Sequence, residues 1–307
     1  MECNWLADGV FRGTVGETAT ARYMVHLGER LSADGKVALG RSDGDAADML
    51  ARALSAGICA GGGTVLLHDG CCAAAAAWMA NFYGISSSLY VQQEGEYICL
   101  YLFDERGLPP SRSRVEELKR RLCTGEGKTV RAGQVGCCEH LRAVNAAYIA
   151  DAARRLPRPM FGALPVLSVP GDNRWDHTLT EVLERMGCRV LRRPTPGVAS
   201  FSADCGGLRL MGRREDGAAV PPEQLLTLVA LLYPQECTAA PRLRDALFAA
   251  GYLAAAMGER VTTLTGLLAQ LQPRAVYRRD SLLRRDRCEA AHCMFREEEI
   301  CRPGTGK

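Results

Sequence analysis

The sequence predicts an α/β protein in which two mixed-sheet domains are followed by a mainly helical remainder. Short apolar runs of strand length alternate with helical patterns through the first 110 residues, and the alternation restarts after Pro157 and Pro159. After Gly217 only helical patterns remain. Strands that alternate with helices form parallel or mixed sheets, because the connecting helices cover the sheet faces.

These changes in pattern divide the 307 residues into four segments. We place one α/β domain at residues 1–140 and a second at residues 141–235. A helical segment follows at 236–275, and a charged, weakly patterned tail fills 276–307. Domains of about 100–200 residues bury enough apolar surface to fold without disulfide bonds.

The elements of the first domain follow from the spacing of apolar residues and from glycines that end helices. Helical spacing predicts helices at residues 18–31, 46–61 and 73–82. Buried-strand runs predict strands at 36–40 and 64–68, and an extended stretch at 97–103 leads to a turn at 106–109. This order of elements indicates a sheet covered by helices.

The second domain repeats the pattern in a shorter form. A helix at 145–156 leads into strands at 165–169 and 188–192, which are separated by a helix at 176–186 that Gly187 ends. The remaining helices are predicted at 222–232, 243–257 and 264–271.

Composition restricts the class of protein. The chain is 47% hydrophobic and 24% charged, which is typical of globular proteins rather than of disordered, collagen-like or coiled-coil chains. Its longest nearly apolar stretch, residues 246–257, is shorter than the roughly 20 residues needed to cross a bilayer, and no basic leader precedes an apolar run at the N-terminus. We therefore expect a cytoplasmic protein with no membrane partner.

Cysteines and arginines raise two further hypotheses. The 14 cysteines fit a reducing compartment as free thiols. A zinc site is the alternative, but no pair has C-x-x-C spacing and the nearest approach to a ligand cluster is Cys288, His292 and Cys293. Residues 274–287 contain six arginines without a nucleic-acid motif, so a solvated face or tail is favoured and nucleic acid is not expected as a partner.

Six segments, in order along the chain, carry a resemblance to a known family. DGVFRG at residues 8–13 is similar to a D-G-x-R-G signature with one residue added, and KVALGR at 36–41 is similar to a strand ending in G-R-D. The other matching segments are residues 53–57 with 61–70, 102–107, 202–217 and 245–271. Together they resemble the α-D-phosphohexomutase superfamily, the phosphoglucomutase and phosphomannomutase type of enzyme. The resemblance implies two consecutive phosphohexomutase-like domains and a reduced, mainly helical remnant of the third, with the tail in the place of the fourth.

The resemblance also implies a chemistry. In that family a serine in T-A-S-H-N-P carries a phosphoryl group, three aspartates in D-G-D-x-D-R hold Mg2+, and a lysine handles protons. Phosphoryl transfer needs an oxygen nucleophile in line with the transferring group and cationic stabilisation of that group. The implied activity is that of an isomerase of carbohydrate metabolism, an intramolecular phosphotransferase acting on hexose phosphates.

This sequence departs from the family at each of those positions. Counted without gaps, the phosphoserine position falls on Val91, the histidine position on Gln92 and the lysine position on Tyr101. Of the three metal aspartates only Asp204 remains, and a single carboxylate is a poor Mg2+ site. We therefore expect no catalytic residue at these positions and no cofactor.

Three serines provide the alternative interpretation. Ser86, Ser87 and Ser88 could supply a hydroxyl after a shift of three to five residues in the match. An active phosphohexomutase with such a displaced serine would interconvert hexose 1- and 6-phosphates with Mg2+. In-line transfer depends strictly on position, and the shift would leave the lysine and the metal loop incomplete.

Features that bind phosphate are partly retained. Arg12 and Arg209 match family positions, and Arg41 ends a strand where its side chain could enter a cleft. Ordinary surface arginines are the alternative interpretation. The sugar-reading motif G-E-x-S-G-H has no good counterpart, and residues 302–307 lack the serine of the family's R-P-S-G-T-E-P loop.

The sequence thus predicts a pseudoenzyme of the phosphohexomutase type. Its partner would be a hexose phosphate, bound as by a sensor, or a protein such as an active mutase. An active enzyme with a displaced serine is the competing hypothesis.

Overall fold

The computed structural model describes residues 9–32, 35–124, 130–158, 164–204, 206–234 and 245–271. The chain divides into two compact units, residues 1–148 and 149–307. The predicted tail at 276–307 and the candidate cluster at Cys288, His292 and Cys293 lie outside the described residues. The boundaries predicted between the four segments stay predictions.

The first unit is built on a six-stranded mixed sheet. Its strands are β1 (Val10–Thr14), β2 (Lys36–Arg41), β3 (Thr64–His68), β4 (Ser87–Glu94), β5 (Tyr97–Asp104) and β6 (Cys138–Leu141). They lie in the order β1-β5-β4-β2-β3-β6. The pairs β4–β2, β2–β3 and β3–β6 are parallel, whereas β4–β5 and β5–β1 are antiparallel.

Helices alternate with these strands along the sequence. They are α1 (Ala21–Leu31), α2 (Asp45–Ala60), α3 (Ala73–Tyr83), α4 (Arg112–Thr124) and α5 (Val144–Arg155), whose residues span the division between the units. The hydroxyl of Thr20 accepts a hydrogen bond from the Tyr23 amide at the start of α1, and Gly84 ends α3 with a φ of 63°.

The two faces of the first sheet have different partners. Strand residues such as Val37, Leu39 and Val91 pack in one hydrophobic cluster with α1, α2 and α4, on what we call the first face. Ala38 points to the other side of β2 and packs with Met79 of α3 on the second face. Because β2 leads into α2 and β3 leads into α3, the loops after these neighbouring strands diverge to opposite faces and leave a crevice at their carboxyl ends.

The second unit has a five-stranded mixed sheet. Its strands are β7 (Val166–Ser168), β8 (Arg189–Leu191), β9 (Ser200–Ala203), β10 (Leu210–Arg213) and β11 (Ala219–Val220), in the order β11-β10-β9-β7-β8. The helices are α6 (Arg174–Met186), α7 (Pro222–Leu232), α8 (Ala246–Glu259) and α9 (Leu264–Leu268). Asn173 and Asp176 form a capping box at the start of α6, and Gly187 ends it with a φ of 104°. Both α7 and α8 contact β10.

The predicted α/β fold class is confirmed, and most predicted elements lie within two residues of the observed ones. The helix predicted at 264–271 ends earlier, at Leu268. The structure adds elements that the sequence analysis does not predict, above all strand β4 and helix α4. Among the described helices none is long and apolar enough to cross a membrane.

Candidate functional site

The residue that the sequence resemblance assigns to the phosphoserine position lies inside a regular strand. Val91 is near the carboxyl end of β4, where it pairs with Arg41 of β2 on one side and Leu100 of β5 on the other. Its side chain has no exposed surface and packs in the hydrophobic cluster of the first face. A valine side chain carries no nucleophile, and no solvent or substrate reaches it here.

The residues that the resemblance assigns to the histidine and lysine positions are also part of the sheet. Gln92 is 4% exposed, and its side-chain oxygen has no hydrogen-bond partner among the described residues. Tyr101, at the lysine position, lies on β5 opposite Tyr90, with its ring stacked 6.4 Å from that of Phe103. The structure therefore has a continuous hairpin at the positions that the resemblance assigns to the serine, the histidine and the lysine.

The three candidate serines lie at the other end of β4. Ser87 pairs with Val37 near the start of β2, four residues before the level of Val91, which corresponds to roughly 13 Å along a strand. Ser87 and Ser88 are buried, and neither hydroxyl has a described hydrogen-bond partner, whereas Ser86 is exposed. The structure does not bring these serines to Arg41 or to the crevice at the strand ends.

Arg41 does reach that crevice, but carboxylates surround it. Its Nε lies 3.0 Å from Oδ1 of Asp48 and 3.4 Å from Oδ1 of Asp69. Asp48 also receives a hydrogen bond of 2.8 Å from Arg52 Nε, which with nearby Arg41 holds the pKa of Asp48 below its ordinary value. Two guanidinium groups and two carboxylates balance, so this cluster has no net charge to attract an anion.

Arg12 lies apart from Arg41 in the same unit. Arg12 pairs with Cys99 of β5, which in turn pairs with Gln92 of β4, whereas Arg41 pairs with Val91, the residue before Gln92. Because successive residues of a strand point to opposite faces, Arg12 and Arg41 lie on opposite faces of the sheet, one residue apart along the strands. The guanidinium carbon of Arg12 lies 4.9 Å from the centre of the Tyr97 ring. The two arginines predicted to bind phosphate in this unit therefore do not point into a common site.

In the second unit, the side chain of Asp204 accepts backbone hydrogen bonds that hold a turn together. Its Oδ1 accepts hydrogen bonds from the amides of Leu208 at 2.8 Å and Arg209 at 3.1 Å, and so closes the turn between β9 and β10. The Arg209 side chain is 3.6 Å from Glu223.

The described residues of this loop do not fit a Mg2+ site. Hard cations need several oxygen ligands, and here one carboxylate faces backbone amides rather than an open position. Within the described ranges no three His, Cys, Asp or Glu side chains are grouped to hold a metal ion.

The structure contains a thiol–imidazole pair that the sequence analysis missed. Sγ of Cys71 lies 2.9 Å from Nδ1 of His68, directly before the start of α3. Both side chains are at most 2% exposed, and burial lowers the pKa of His68 to about 4. The imidazole is therefore neutral at pH 7, and the pair is a buried hydrogen bond rather than an ion pair. The H-x-x-C spacing after a strand was the only sequence signal for it.

A pocket opens on the first face of the sheet, between α2 and the edge strand β6. We call it the α2–β6 pocket. Its volume is about 340 Å³. Its lining includes the following residues: Arg41, Asp48, Ala51, Arg52, Ser55, Ala56, Cys59, Leu67, Asp69, Cys138 and His140. The Arg41 cluster thus forms one end of a concave site within the first unit.

Comparisons with known proteins bear on the fold. No protein-family model matches the sequence, and no curated protein matches it significantly. A solved phosphoglucomutase/phosphomannomutase family protein from Burkholderia thailandensis matches with a TM-score of 0.68 and 15% identity, over 87% of this chain and 79% of that one. A protein assigned as a phosphomannomutase from Thermus thermophilus matches with a TM-score of 0.66 and 16% identity, over 92% and 85%. The chain therefore has the fold of phosphoglucomutase/phosphomannomutase proteins, as the resemblance of its motifs implies.

Proposed function

We propose that this protein is a phosphohexomutase-like pseudoenzyme, which binds a ligand or partner and lacks intramolecular phosphotransferase activity. One observation carries the proposal. Val91, at the family's phosphoserine position, is fully buried in a strand that is paired on both sides. Phosphoryl transfer through a covalent intermediate needs an accessible oxygen at that point.

Two further positions support the same conclusion. The carboxylate of Asp204 is bound by backbone amides of its own turn, and Tyr101 stands where the family has a lysine. A phenol is a weak proton carrier at neutral pH and supplies no positive charge. Nucleophile, cationic stabilisation and proton transfer would all have to be provided by other residues.

The bound molecule belongs to one of two classes. A hexose phosphate is the first to test, because the proteins of this fold are named for enzymes of glucose and mannose phosphates. A protein partner, such as an active mutase, is the second. Both are compatible with an intact sheet scaffold that has no reactive loop.

The absence of activity can be tested with the purified chain. We expect no interconversion of glucose or mannose 1- and 6-phosphates in a coupled assay with Mg2+ and a hexose bisphosphate activator. Intact-mass analysis after the same incubation should show no added phosphoryl group. Turnover that is lost in Ser86→Ala, Ser87→Ala or Ser88→Ala would overturn the proposal and establish the displaced-serine enzyme.

Binding can be tested by thermal melting with hexose phosphates. A ligand specific for the folded state, at 100 times its dissociation constant, adds about 2.7 kcal/mol to the free energy of unfolding. A rise in Tm with one sugar phosphate, independent of Mg2+, supports a sensor. If the protein melts cooperatively and no sugar phosphate changes its Tm, the sensor is rejected and the protein-partner form of the proposal is the one to pursue.

A further inference from the structure

We propose that the α2–β6 pocket is a binding site for an uncharged polyhydroxyl ligand of monosaccharide size. This inference does not rest on the proposed function, because Val91, Tyr101 and Asp204 are not among the residues that line the pocket. At about 340 Å³ its volume falls in the range of about 300–1,000 Å³ that small-molecule sites occupy.

The pocket has the geometry of a crevice at strand ends. Arg41 and Asp69 directly follow the buried parts of β2 and β3, the two strands whose connections diverge to opposite sheet faces. Ligands of open α/β sheets bind at such points. On the other wall, residues 48, 52, 55, 56 and 59 form one stripe along α2, at the spacing of a single helix face.

The edge strand β6 completes the pocket. His140 pairs with Leu67, and Cys138 pairs with Val65, so both lie on the same face of the sheet as Arg41. Both residues are exposed. The imidazole of His140 therefore faces the helical stripe across an open groove.

The polar groups of the pocket alternate in sign. Arg41 and Arg52 only donate hydrogen bonds, and Asp48 and Asp69 only accept them when ionised. Ion pairs of 2.8–3.4 Å place these groups side by side. Asp69 and Arg52 keep most of their side-chain surface exposed, at 56% and 75%.

Hydroxyl groups match this arrangement better than charged groups do. A hydroxyl donates and accepts, so neighbouring hydroxyls can bond to Asp69 and Arg52 at once. A phosphate carries negative charge, which would meet the like charges of Asp48 and Asp69. At the other end, Ala51, Ala56 and Leu67 provide apolar surface for carbon-bound hydrogens.

The five histidines of the chain allow a direct binding experiment. With selectively ¹³C-labelled histidine, the ring signals of His140 report on the pocket, while His26 and His177 serve as internal controls. The probes are myo-inositol and D-glucose, compared with inorganic phosphate and glycine at equal ionic strength. We expect either polyol to shift the His140 signals saturably and to leave His26 and His177 unchanged.

Variants locate the site. Arg52→Gln and Asp69→Asn should each weaken polyol binding about tenfold, the effect of losing one charge-assisted hydrogen bond. Arg22→Gln, which changes an exposed arginine on α1, should leave it unchanged. Arg52 is mostly exposed, so its variant tests the site even if Asp69→Asn fails to fold. No saturable shift with a polyol, stronger binding of phosphate or glycine, or equal affinity in Arg52→Gln would each overturn the proposal.

Discussion

Replacing Val91 by serine places a hydroxyl at the position that the resemblance assigns to the family's nucleophile, and it tests whether the surroundings of this residue can use it. The substitution removes two methyl groups that have no exposed surface, which costs about 1.5–3 kcal/mol. Burying the new hydroxyl without a partner adds about 1–3 kcal/mol. We expect a total loss of about 2.5–6 kcal/mol, which for a unit of 148 residues lowers the Tm by about 5 °C or more.

The assay combines thermal melting with the mutase and mass measurements described above. Val135→Ser makes the same chemical change at a valine that is 54% exposed, and it should change stability by less than about 0.5 kcal/mol. A Val91→Ser protein that melts like the wild type, or one that gains a phosphoryl group from a hexose bisphosphate, would refute the reasoning that this position is sealed in the core.

Three further predictions concern buried or tightly packed groups. Burial lowers the pKa of His68 from 6.5 to about 4, so between these pH values the unfolded chain binds a proton that the folded protein does not. Denaturant titrations should show stability falling by about 3 kcal/mol from pH 7 to pH 4 through this group, and His68→Gln should reduce that slope. Burial would raise the pKa of Glu215, but the hydrogen bonds it accepts from the Thr265 side chain and nearby amides outweigh this and lower it. The ionised Glu215 carboxylate stabilises the fold above the pKa that it has in the unfolded chain, and this stabilisation is lost in acid. Glu215→Gln should therefore lower the free energy of unfolding by about 1 kcal/mol at pH 7 and make it depend less on pH in the acid range. An added Cβ at Gly57 would overlap the backbone of Val25 in the neighbouring helix, so Gly57→Ala should cost about 1–3 kcal/mol in a denaturant titration, and a neutral result would mean that α1 and α2 separate easily.

The alternation of strands and helices was predictable because the chain marks it with buried runs and caps. The run at 64–68 is a strand with those bounds, and the helix at 222–232 begins at the predicted proline. Gly187 ends α6 in the left-handed region, where glycine has no steric penalty. These signals are local, so no tertiary information was needed to read them.

Strand β4 was not predicted because its sequence, SSLYVQQE, is polar at both ends. A two-residue turn at Gly95 and Glu96, with a φ of 63° at Gly95, connects it to β5, and such a turn is a hairpin signal that periodicity alone does not weigh. Helix α4 was missed for a related reason: it buries only Val115 and Leu118 and carries mostly charged residues.

The sites depend on contacts between distant parts of the chain, which explains why the sequence indicated them only in part. Arg41 was singled out as the end of a strand, but its two carboxylate partners and the wall formed by His140 follow from the parallel pairing of β2, β3 and β6. Local patterns do not encode that pairing. The contact between Cys71 and His68 depends on the bend of the loop between β3 and α3.

The proposed loss of phosphotransfer is a property of the β4–β5 hairpin rather than of one residue. Eight consecutive pairs, from Ser87 with Asp104 to Glu94 with Tyr97, join the two strands without interruption. A reactive loop at Val91 would require several of these pairs to break. Because neighbouring pairs alternate between the two sheet faces, breaking them would expose buried apolar side chains on both faces. A serine substitution changes the chemistry at that point without creating the loop. Regaining activity would therefore require an insertion that ends β4 earlier, and this distinguishes a rebuilt scaffold from an enzyme that has lost a single nucleophile.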